Sequence, residues 1–282
     1  MSETVFFNGS YIPKSEVRIS PDDRGFLFGD GVYEVVRMYG GHGFEMDGHV
    51  RRLAEGMKAI GIAGDAGLLH AVCEQLIERN DLRDRDAIVY IQVTRGVAPR
   101  AHHFPNPAVP PTIYASAWAF TPTTDLAVGV GVVTAPDHRW TRCDIKSVSL
   151  LANCMAADQA AVAGAYEALL VRDGMVIEGT RTSLFGVLDG VVRTAPVSNY
   201  ILPSITRAVA IELCESEDLA LDQRPMTVEE CERADELFLA GTTTEIMPIV
   251  RVDDRPVGDG RPGPIATRLA HLFADRVRAL AT

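Results

Sequence analysis

The segment from Thr141 to Ala165 reads TRCDIKSVSLLANCMAADQAAVAGA and holds Lys146, one of only three lysines in the 282-residue chain. Ile145 precedes this lysine, and the mostly apolar run 148–157, which predicts a helix to about Gly164, follows it. A buried amine can lose its proton near neutral pH and attack a carbonyl carbon to form a Schiff base. The local sequence alone favours another interpretation, a lysine at a strand end whose ammonium reaches water.

The chain around this segment predicts a two-domain α/β fold. Residues 1–119 form a predicted N-terminal α/β domain, and residues 120–124 (FTPTT) form a predicted linker. Residues 125–282 form a predicted C-terminal α/β domain that carries Lys146. Strands and helices interleave with many hairpin signals, so we expect mixed, largely antiparallel sheets rather than a doubly wound parallel sheet.

Short turn sequences mark the predicted hairpins. Asn8-Gly9 joins two opening strands, while Arg172-Asp173-Gly174 and Asp189-Gly190 join two later pairs. The spacing of apolar residues predicts strands at 87–94, 112–119 and 126–134. The other predicted helices are 48–62 with Asp47 as N-cap, 66–80, 204–217 with Ser204 as N-cap, and 265–280.

Composition and charge restrict the class of protein. The net charge of −11 and the pI of about 5.1 argue against binding to nucleic acid or to an anionic membrane. The cysteines are odd in number and make no CxxC pair, so we expect reduced thiols, no disulfide framework and no zinc site. The sequence begins without a signal-peptide pattern and has no apolar run of membrane-spanning length, so we expect a cytoplasmic protein.

The commonest catalytic motifs are absent from the sequence. Gly129-Val130-Gly131 resembles the start of a dinucleotide-binding fingerprint, but it lies in a predicted strand and no third glycine follows in place. There is no P-loop, HExxH or GxSxG motif, and the histidines do not fall at metal-ligand spacings, so no metal site is expected. Lys146 therefore remains the leading reactive candidate.

A lysine Schiff base suggests pyridoxal phosphate as cofactor. This cofactor needs an anion site for its phosphate, an acid for its pyridine nitrogen and a site for the substrate carboxylate. The segments 202–207 (LPSITR) and 241–245 (GTTTE) offer backbone N–H groups and hydroxyls, the first of them at a helix N-terminus. Arg51-Arg52 would add a fixed charge. On its own, each segment is better explained as an ordinary cap, turn or solvated charge.

Glu178 is the candidate acid for the pyridine nitrogen. It follows the apolar residues 175–177 at the end of a predicted strand. An ionised carboxylate there would keep the ring nitrogen protonated and the ring electron-withdrawing. The position fits either a surface charge at a strand end or a buried carboxylate with a cationic partner.

Several motifs together resemble a known family. They are GDGVYE at 29–34, HVRRL at 49–53, DIKS at 144–147, EGT at 178–180, YILPSITR at 200–207 and TTTEI at 242–246. With these motifs in order along nearly its whole length, the chain resembles the class IV (fold-type IV) pyridoxal-phosphate aminotransferases, and among them the D-amino acid aminotransferases. The resemblance implies that Lys146 is the Schiff-base lysine.

The resemblance also implies roles for other residues. Lys146 would hold the cofactor and then move the proton between Cα and C4′. Glu178 would pair with the pyridine nitrogen, and Leu202 would pack on the ring. The residues implied for the phosphate are Arg52, Ile205, Thr206, Thr242 and Thr243.

The segment 94–102 (TRGVAPRAH) bears on the subfamily. Arg100 and His102, together with Tyr33, match the Arg-x-His pair and the tyrosine that bind the substrate α-carboxylate in D-amino acid aminotransferases. A guanidinium fork suits a carboxylate, and the side of the ring on which it lies decides which Cα–H faces Lys146. A solvated loop arginine is the alternative interpretation of Arg100.

The implied activity is transfer of an amino group from a D-amino acid such as D-alanine to a 2-oxo acid such as 2-oxoglutarate, by a homodimer. The alternatives are a branched-chain L-amino acid aminotransferase, an (R)-selective amine aminotransferase, or a non-catalytic binding protein that keeps the fold. Ser204, Gly241 and Arg181-Thr182-Ser183 depart from the usual family pattern. Of these, Arg181 follows Glu178 closely enough to alter the substrate pocket or tune the carboxylate.

Overall fold

The computed structural model describes residues 3–281. Helices and strands interleave through this part of the chain, and its sheets are antiparallel or mixed, which confirms the predicted fold class. Within the same residues, no helix is both long enough and apolar enough to cross a membrane.

The described chain divides into two compact units. Unit 1 contains the residues up to Thr121 together with the short segment Ile145–Ser149, and unit 2 contains Pro122–Asp144 and Leu150–Leu280. The first crossing between the units thus lies inside the segment predicted as a linker. Lys146, which the sequence analysis places in the C-terminal domain, belongs instead with unit 1.

Unit 1 is an antiparallel sheet covered by helices. Its described strands are β1 (Thr4–Phe7), β2 (Ser10–Pro13), β3 (Gly31–Tyr39), β4 (His42–Gly43), β5 (Ala87–Thr94) and β6 (Thr112–Ala119). Its α-helices are α1 (Arg24–Phe28), α2 (Met46–Ala59) and α3 (Leu68–Arg79). The strand order is β2-β1-β6-β5-β3-β4, and neighbouring strands are antiparallel.

The core of unit 1 lies between the sheet and the two longer helices. Leu53 and Met57 of α2 and Leu69 and Leu76 of α3 are buried in one apolar cluster, which also contains residues of β3, β5 and β6. These residues recur at helical spacing, so one face of each helix is apolar and packs on the sheet. The strands predicted at 87–94 and 112–119 are confirmed.

Backbone hydrogen bonds explain why the Lys146 segment belongs to unit 1. The Tyr33 N–H donates to the Lys146 carbonyl over 3.0 Å, and the Val148 N–H donates to the Gly31 carbonyl over 3.1 Å. The side chain of Ile145 is buried in the unit 1 core. The segment therefore pairs with β3, more than a hundred positions earlier, a long-range contact that the local apolar pattern does not indicate.

Unit 2 is a larger mixed sheet with helices packed against it. Its described strands are β7 (Val130–Pro136), β8 (Glu167–Arg172), β9 (Met175–Gly179), β10 (Ser183–Leu188), β11 (Val191–Thr194), β12 (Leu221–Asp222), β13 (Met226–Thr227), β14 (Glu236–Gly241), β15 (Glu245–Val252) and β16 (Arg255–Pro256). Its α-helices are α4 (Leu151–Val162), α5 (Ile205–Ser216), α6 (Val228–Glu232) and α7 (Pro264–Arg278).

The strand order in unit 2 is β12-β11-β10-β14-β15-β7-β8-β9-β13, with β16 on β15. Strand β7 runs parallel to both of its neighbours, and β11 runs parallel to β12, whereas the other pairs are antiparallel. The predicted β8–β9 hairpin is confirmed, and its turn residues Asp173 and Gly174 have φ of 50° and 77°. This hairpin places Glu178 opposite Leu170.

Two local predictions are wrong. Asp47 is not the N-cap of α2, because the helix begins two residues earlier, at Met46, and its N-cap is Glu45, with φ of 50°. Asp47 lies in the first turn, where its charge still favours the helix N-terminus. The strand predicted from 126 begins only at 130, because Gly129 takes φ of 71° and its N–H closes a turn onto the Asp125 carbonyl over 3.0 Å.

Candidate active site

Lys146 lies beside Tyr33 in unit 1. Its Nζ is 4.4 Å from the centroid of the Tyr33 ring, and this ring lies 5.7 Å from the ring of Tyr90. The lysine is half-buried, and the backbone bonds to β3 fix the position of its Cα. The structure thus brings together two of the residues predicted for the site, the reactive amine and one of the residues predicted for the substrate carboxylate.

Glu34, His49 and Arg52 form a buried cluster in the same unit. The Glu34 carboxylate accepts hydrogen bonds from Nε of Arg52 over 2.6 Å, from Nη2 of Arg52 over 2.8 Å and from Nδ1 of His49 over 2.7 Å. His49 and Arg52 are three positions apart on α2, so both side chains face the Glu34 side of the helix. Arg52 is a predicted phosphate residue, whereas the sequence analysis assigns no role to Glu34 or His49.

The charges in this cluster compensate one another. Burial alone would raise the pKa of Glu34, but the charge of Arg52 and the hydrogen bonds from Arg52 and His49 hold this pKa well below its ordinary value. Burial lowers the pKa of His49; Glu34 opposes this shift, and the charges of Arg52 and Lys146 add to it. At neutral pH the cluster therefore contains an ionised Glu34, a charged Arg52 and a neutral His49.

Arg100 and His102 meet at the ring of Phe28. The guanidinium carbon of Arg100 is 5.3 Å from the ring centroid, and the His102 ring lies 5.8 Å from it at an interplanar angle of 62°. Both residues are exposed. The structure therefore places this predicted pair on one aromatic ring, while Tyr33, the third residue predicted for the carboxylate, contacts Lys146.

Asp30 anchors the loop that carries Arg100. Its carboxylate accepts from Nε of Arg24 over 2.8 Å and from Nε and Nη2 of Arg95 over 2.7 and 2.9 Å. Arg24 also donates from Nη1 to the carbonyl of Ala101 over 2.6 Å. The loop is thus held on both sides of Arg100 by side chains that the sequence analysis does not single out.

Glu178 lies at the end of β9 in unit 2 and is 5% exposed. Nη1 of Arg139 donates to Oε1 of Glu178, and the N–H of Leu202 donates to Oε2 over 3.2 Å. Of the two interpretations that the sequence leaves open, the structure shows the buried carboxylate with a cationic partner. Leu202, predicted to pack on the cofactor ring, is a direct neighbour of the predicted ring acid.

A second carboxylate, Asp137, shares Arg139 with Glu178. Nε and Nη2 of Arg139 each donate to the Asp137 carboxylate over 2.9 Å, and Nε of Arg172 donates to it over 3.1 Å. The Asp137 side chain has no exposed surface. Asp137 therefore receives hydrogen bonds from two arginines, whereas Glu178 receives them from one.

This unequal sharing affects the ionisation of Glu178. Burial raises its pKa to about 7, and the charge and hydrogen bond of Arg139 and the amide of Leu202 oppose this rise only in part. Near neutral pH the carboxylate is therefore close to the midpoint of its titration, and a cationic group beside it would favour the ionised form. This is the property required of a partner for a protonated pyridine nitrogen.

The N-terminus of α5 holds the next group of predicted residues. The hydroxyl of Ser204 accepts a hydrogen bond from the Arg207 N–H over 3.2 Å, which confirms Ser204 as N-cap. Ile205 and Thr206 are the first residues of the helix, so their N–H groups point out of its N-terminal end. The helix dipole and these N–H groups favour an anion there.

Thr242 and Thr243 lie in the turn between β14 and β15. The Thr244 N–H closes this turn onto the Gly241 carbonyl over 3.1 Å, and the Thr244 hydroxyl is 2.9 Å from the hydroxyl of Tyr166. Thr242 and Thr243 are both half-buried. The turn therefore offers two hydroxyls of the kind that the predicted anion site requires.

The turn after Glu178 is built around a buried carboxylate that the sequence analysis misses. Glu167 accepts hydrogen bonds from the hydroxyls of Thr180 over 2.5 Å and Thr182 over 3.0 Å, and from the Arg181 N–H over 3.3 Å. The exposed guanidinium of Arg181 lies 5.2 Å from the Tyr166 ring centroid. Arg181, a departure from the family pattern, thus lies over Tyr166 in this turn.

The described residues offer no metal centre. Between residues 3 and 281, no group of three or more His, Cys, Asp or Glu side chains is arranged to hold a metal ion. Unit 1 instead offers an amine and a buried carboxylate with an arginine partner, and unit 2 offers a buried carboxylate with an arginine partner together with amide and hydroxyl donors. Such groups bind an anionic organic molecule and move protons on it.

Known proteins resemble the chain over nearly its full length. A family model described as amino-transferase class IV matches residues 31–252. A D-alanine aminotransferase of Staphylococcus haemolyticus is 40% identical over 274 residues, which cover 95% of this chain and 96% of that relative. A D-alanine aminotransferase of Bacillus licheniformis is 40% identical over 264 residues, which cover 93% of this chain and 92% of that relative.

Solved structures share the fold. The T.th. branched-chain amino acid aminotransferase complexed with N-(5′-phosphopyridoxyl)-L-glutamate aligns with a TM-score of 0.89 at 26% identity, over 99% of this chain and 95% of that one. This likeness confirms the predicted architecture, and the family match includes both Lys146 and Glu178. The chain belongs to the class IV aminotransferases.

Proposed function

We propose that this protein transfers the amino group of a D-amino acid of the D-alanine type to a 2-oxo acid such as 2-oxoglutarate, giving pyruvate and D-glutamate. The observation that carries the proposal is the 40% identity, over 95% of the chain, to a relative named D-alanine aminotransferase. The branched-chain enzyme with a similar fold is only 26% identical.

The proposed cofactor is pyridoxal 5′-phosphate. When bound, it supplies an electron-accepting ring that stabilises negative charge at the substrate Cα. The donors described above fit its chemistry: an amine for the aldehyde carbon, amide, hydroxyl and guanidinium donors for the phosphate, and a buried carboxylate of raised pKa for the pyridine nitrogen. The match in charge and donor type supports the assignment of these residues.

Lys146 is the proposed catalytic residue. Its amine would hold the cofactor covalently and, once displaced by the substrate, would move the proton between Cα and C4′. The Tyr33 ring beside Nζ limits where the amine can reach. The charge of Lys146 is one of those that lower the pKa of His49, so this imidazole is neutral at neutral pH.

The remaining proposed site residues bind rather than react. Glu178 would hold the pyridine nitrogen in its protonated form, and Leu202 would pack on the ring. The proposed phosphate residues are Arg52, Ile205, Thr206, Thr242 and Thr243. Neutral N–H donors at a helix N-terminus and a guanidinium are both groups that suit a phosphate dianion.

The proposed residues for the substrate carboxylate are Tyr33, Arg100 and His102. Arg100 is the group that would separate the candidate activities, because an amine without a carboxylate has nothing for its guanidinium to bind. An (R)-selective amine aminotransferase or a branched-chain L-amino acid aminotransferase would therefore tolerate its loss. We also propose that the enzyme works as a homodimer in the cytoplasm, as the family resemblance implies.

A half-reaction observed by absorbance tests the proposal. Purified protein loaded with pyridoxal phosphate is mixed separately with D-alanine and with L-leucine while the visible spectrum is recorded. We expect the visible band to bleach with D-alanine alone. Bleaching with L-leucine alone would support transamination but overturn the assignment of Arg100 and His102 to a D-amino acid carboxylate. A protein that stays colourless with added cofactor would instead be a non-catalytic binding protein.

Two lysine variants control this experiment. Lys146→Ala should give no bleaching with either amino acid. Lys14→Ala removes an exposed lysine that is paired with Glu3 over 2.9 Å, so it should bleach like the parent protein. Near-normal turnover by Lys146→Ala would contradict the catalytic role of this lysine.

A further inference from the structure

Glu34 meets Arg52 in an edge-on, two-point contact. Oε1 of Glu34 accepts from Nε of Arg52 over 2.6 Å, and Oε2 accepts from Nη2 over 2.8 Å. Two parallel charge-assisted bonds of this kind fix both the position and the plane of a guanidinium. The N–H groups of Arg52 that are not directed at Glu34 therefore also have a fixed direction.

His49 braces the carboxylate from another side. Its Nδ1 lies 2.7 Å from Oε2 of Glu34, and a carboxylate only accepts, so the neutral imidazole donates from Nδ1. Because His49 and Arg52 lie on the same face of α2 while Glu34 lies on β3, the three side chains join helix and strand. The carboxylate has little freedom to turn away from Arg52.

The neighbouring arginine shows how local this arrangement is. Arg51 is exposed, whereas Arg52 is buried with Glu34, although both belong to the same turn of α2. An exposed arginine samples many rotamers, and their loss on ligand binding costs free energy. Arg52 has already lost that freedom in the folded protein because Glu34 holds it.

We propose that Glu34 is a positioning residue for phosphate recognition: it aims the Arg52 guanidinium at the phosphate monoester of the cofactor, with His49 as its brace. This inference rests on the proposed function, in which Arg52 binds that phosphate. It assigns Glu34 no contact with the cofactor or the substrate. Its effect is confined to the interaction that requires the phosphate group.

Comparing two ligands isolates that interaction. Pyridoxal has the same ring and aldehyde as pyridoxal phosphate but no phosphate. The dissociation constant of pyridoxal divided by that of pyridoxal phosphate therefore measures phosphate recognition alone. In Glu34→Gln, the amide nitrogen faces a guanidinium that only donates, so one of the two parallel bonds is lost. We expect the ratio to fall by about tenfold to 100-fold, the loss typical when the partner that orients a metal ligand is removed.

The experiment titrates cofactor-free protein with each ligand at low temperature and follows absorbance. The variants are Glu34→Gln, Glu34→Asp and Arg52→Gln. The matched controls are Glu55→Gln and Lys58→Gln, which change exposed residues of the same helix α2. Glu34→Asp keeps the negative charge but shortens the reach, so it answers the question even if Glu34→Gln does not fold.

Each outcome decides one point. A similar fall in the ratio for the Glu34 variants and Arg52→Gln, with unchanged controls, supports the inference. An unchanged ratio in Arg52→Gln would overturn the proposed phosphate role of Arg52 itself. If the ratio falls in Arg52→Gln but not in the Glu34 variants, only the positioning role of Glu34 is overturned. The same conclusion follows if the Glu34 variants lose affinity equally for pyridoxal and for pyridoxal phosphate.

Discussion

Glu34 and Glu178 are both buried glutamates, yet their ionisation differs. Glu34 in unit 1 is 0% exposed and Glu178 in unit 2 is 5% exposed. Burial raises the pKa of both, but the partners of Glu34 reverse this effect, whereas the pKa of Glu178 remains raised at about 7. Burial therefore sets the direction of the pKa shift of Glu178, whereas the hydrogen-bond partners of Glu34 outweigh it.

The partners differ in number and in how they are shared. Glu34 receives two parallel bonds from Arg52 and a third from His49. Glu178 receives one N–H of Arg139 and the N–H of Leu202, while Nε and Nη2 of Arg139 donate to Asp137. The negative charge of Glu34 is thus fully balanced by its partners within the protein, whereas Glu178 can still accept a cationic partner.

This difference suggests that Glu34 and Glu178 have different roles. A compensated carboxylate such as Glu34 holds its neighbours in place and needs no ligand to be stable. An incompletely compensated one such as Glu178 becomes more stable when a cation arrives, and a protonated pyridine nitrogen is such a cation. The two glutamates should therefore respond in opposite ways to the same substitution.

The largest expected effect is on the stability of the cofactor-free protein. Glu34→Gln should lower the free energy of unfolding by about 3–5 kcal/mol, because it leaves the buried charge of Arg52 uncompensated. Glu178→Gln should not lower it at pH 8, because it removes a carboxylate whose ionised form burial disfavours. Urea denaturation of both variants measures this, and equal destabilisation would contradict the comparison.

The residues of the candidate site could be named from the sequence because they lie in contiguous motifs that resemble a known family, and their roles stay predictions. Lys146 stands out by its apolar flanks, and Glu178 by its place at the end of an apolar strand. The supporting charges were not predictable in the same way. Asp137 and Arg172 are 35 positions apart, and only the pairing of β7 with β8 brings them together.

The next effect concerns catalysis. With saturating cofactor, Glu178→Gln should lower kcat by about 100- to 1,000-fold, the range for removal of one preorganised electrostatic group. A neutral amide cannot hold the pyridine nitrogen protonated. Glu34→Gln should keep most of its kcat once the cofactor is bound, because Glu34 acts on affinity. Steady-state turnover of D-alanine measures both, and a larger kcat loss in Glu34→Gln would reverse the proposed roles.

The pH dependence of stability should also separate the two glutamates. The folded-state pKa of Glu178, about 7, lies above its ordinary value of 4.5, so the native state binds more protons between these values. Stability should therefore fall as the pH rises from 4.5 to 7, by on the order of 3 kcal/mol relative to Glu178→Gln. The folded-state pKa of Glu34 is lowered, so its stabilisation is present above pH 4.5 and is lost only in more acidic solution.

This measurement uses cofactor-free protein, because a cation bound at Glu178 would lower the pKa of Glu178 and remove the dependence of stability on pH. Denaturation at several pH values, reported as the difference between parent and Glu178→Gln, cancels the other titrating groups. A difference that does not change with pH would show that Glu178 is ionised throughout, as Glu34 is. The comparison between the two regions would then fail.

Fold-level predictions also succeeded where the signal was local. The hairpin turns, the strands at 87–94 and 112–119 and the Ser204 cap follow from short-range turn and packing chemistry. The Lys146 segment was placed with the wrong half because its partner strand β3 is distant in sequence. The Asp47 cap failed because Glu45 adopts a left-handed conformation and the helix begins earlier.

The smallest expected effect tests how Arg139 is shared. Arg139→Lys keeps the charge, but a single ammonium cannot reproduce the planar fork that bonds Asp137 and Glu178 together. For D-alanine, kcat/KM should fall by the equivalent of about 1–2 kcal/mol of transition-state stabilisation, close to the value of one hydrogen bond to a charged group. Arg142→Lys is the matched control, because Arg142 makes the same two-point contact with Asp144, over 2.9 and 2.8 Å, but is exposed. Since exposed pairs contribute little, equal losses in both variants would mean that sharing Arg139 between two carboxylates has no catalytic effect.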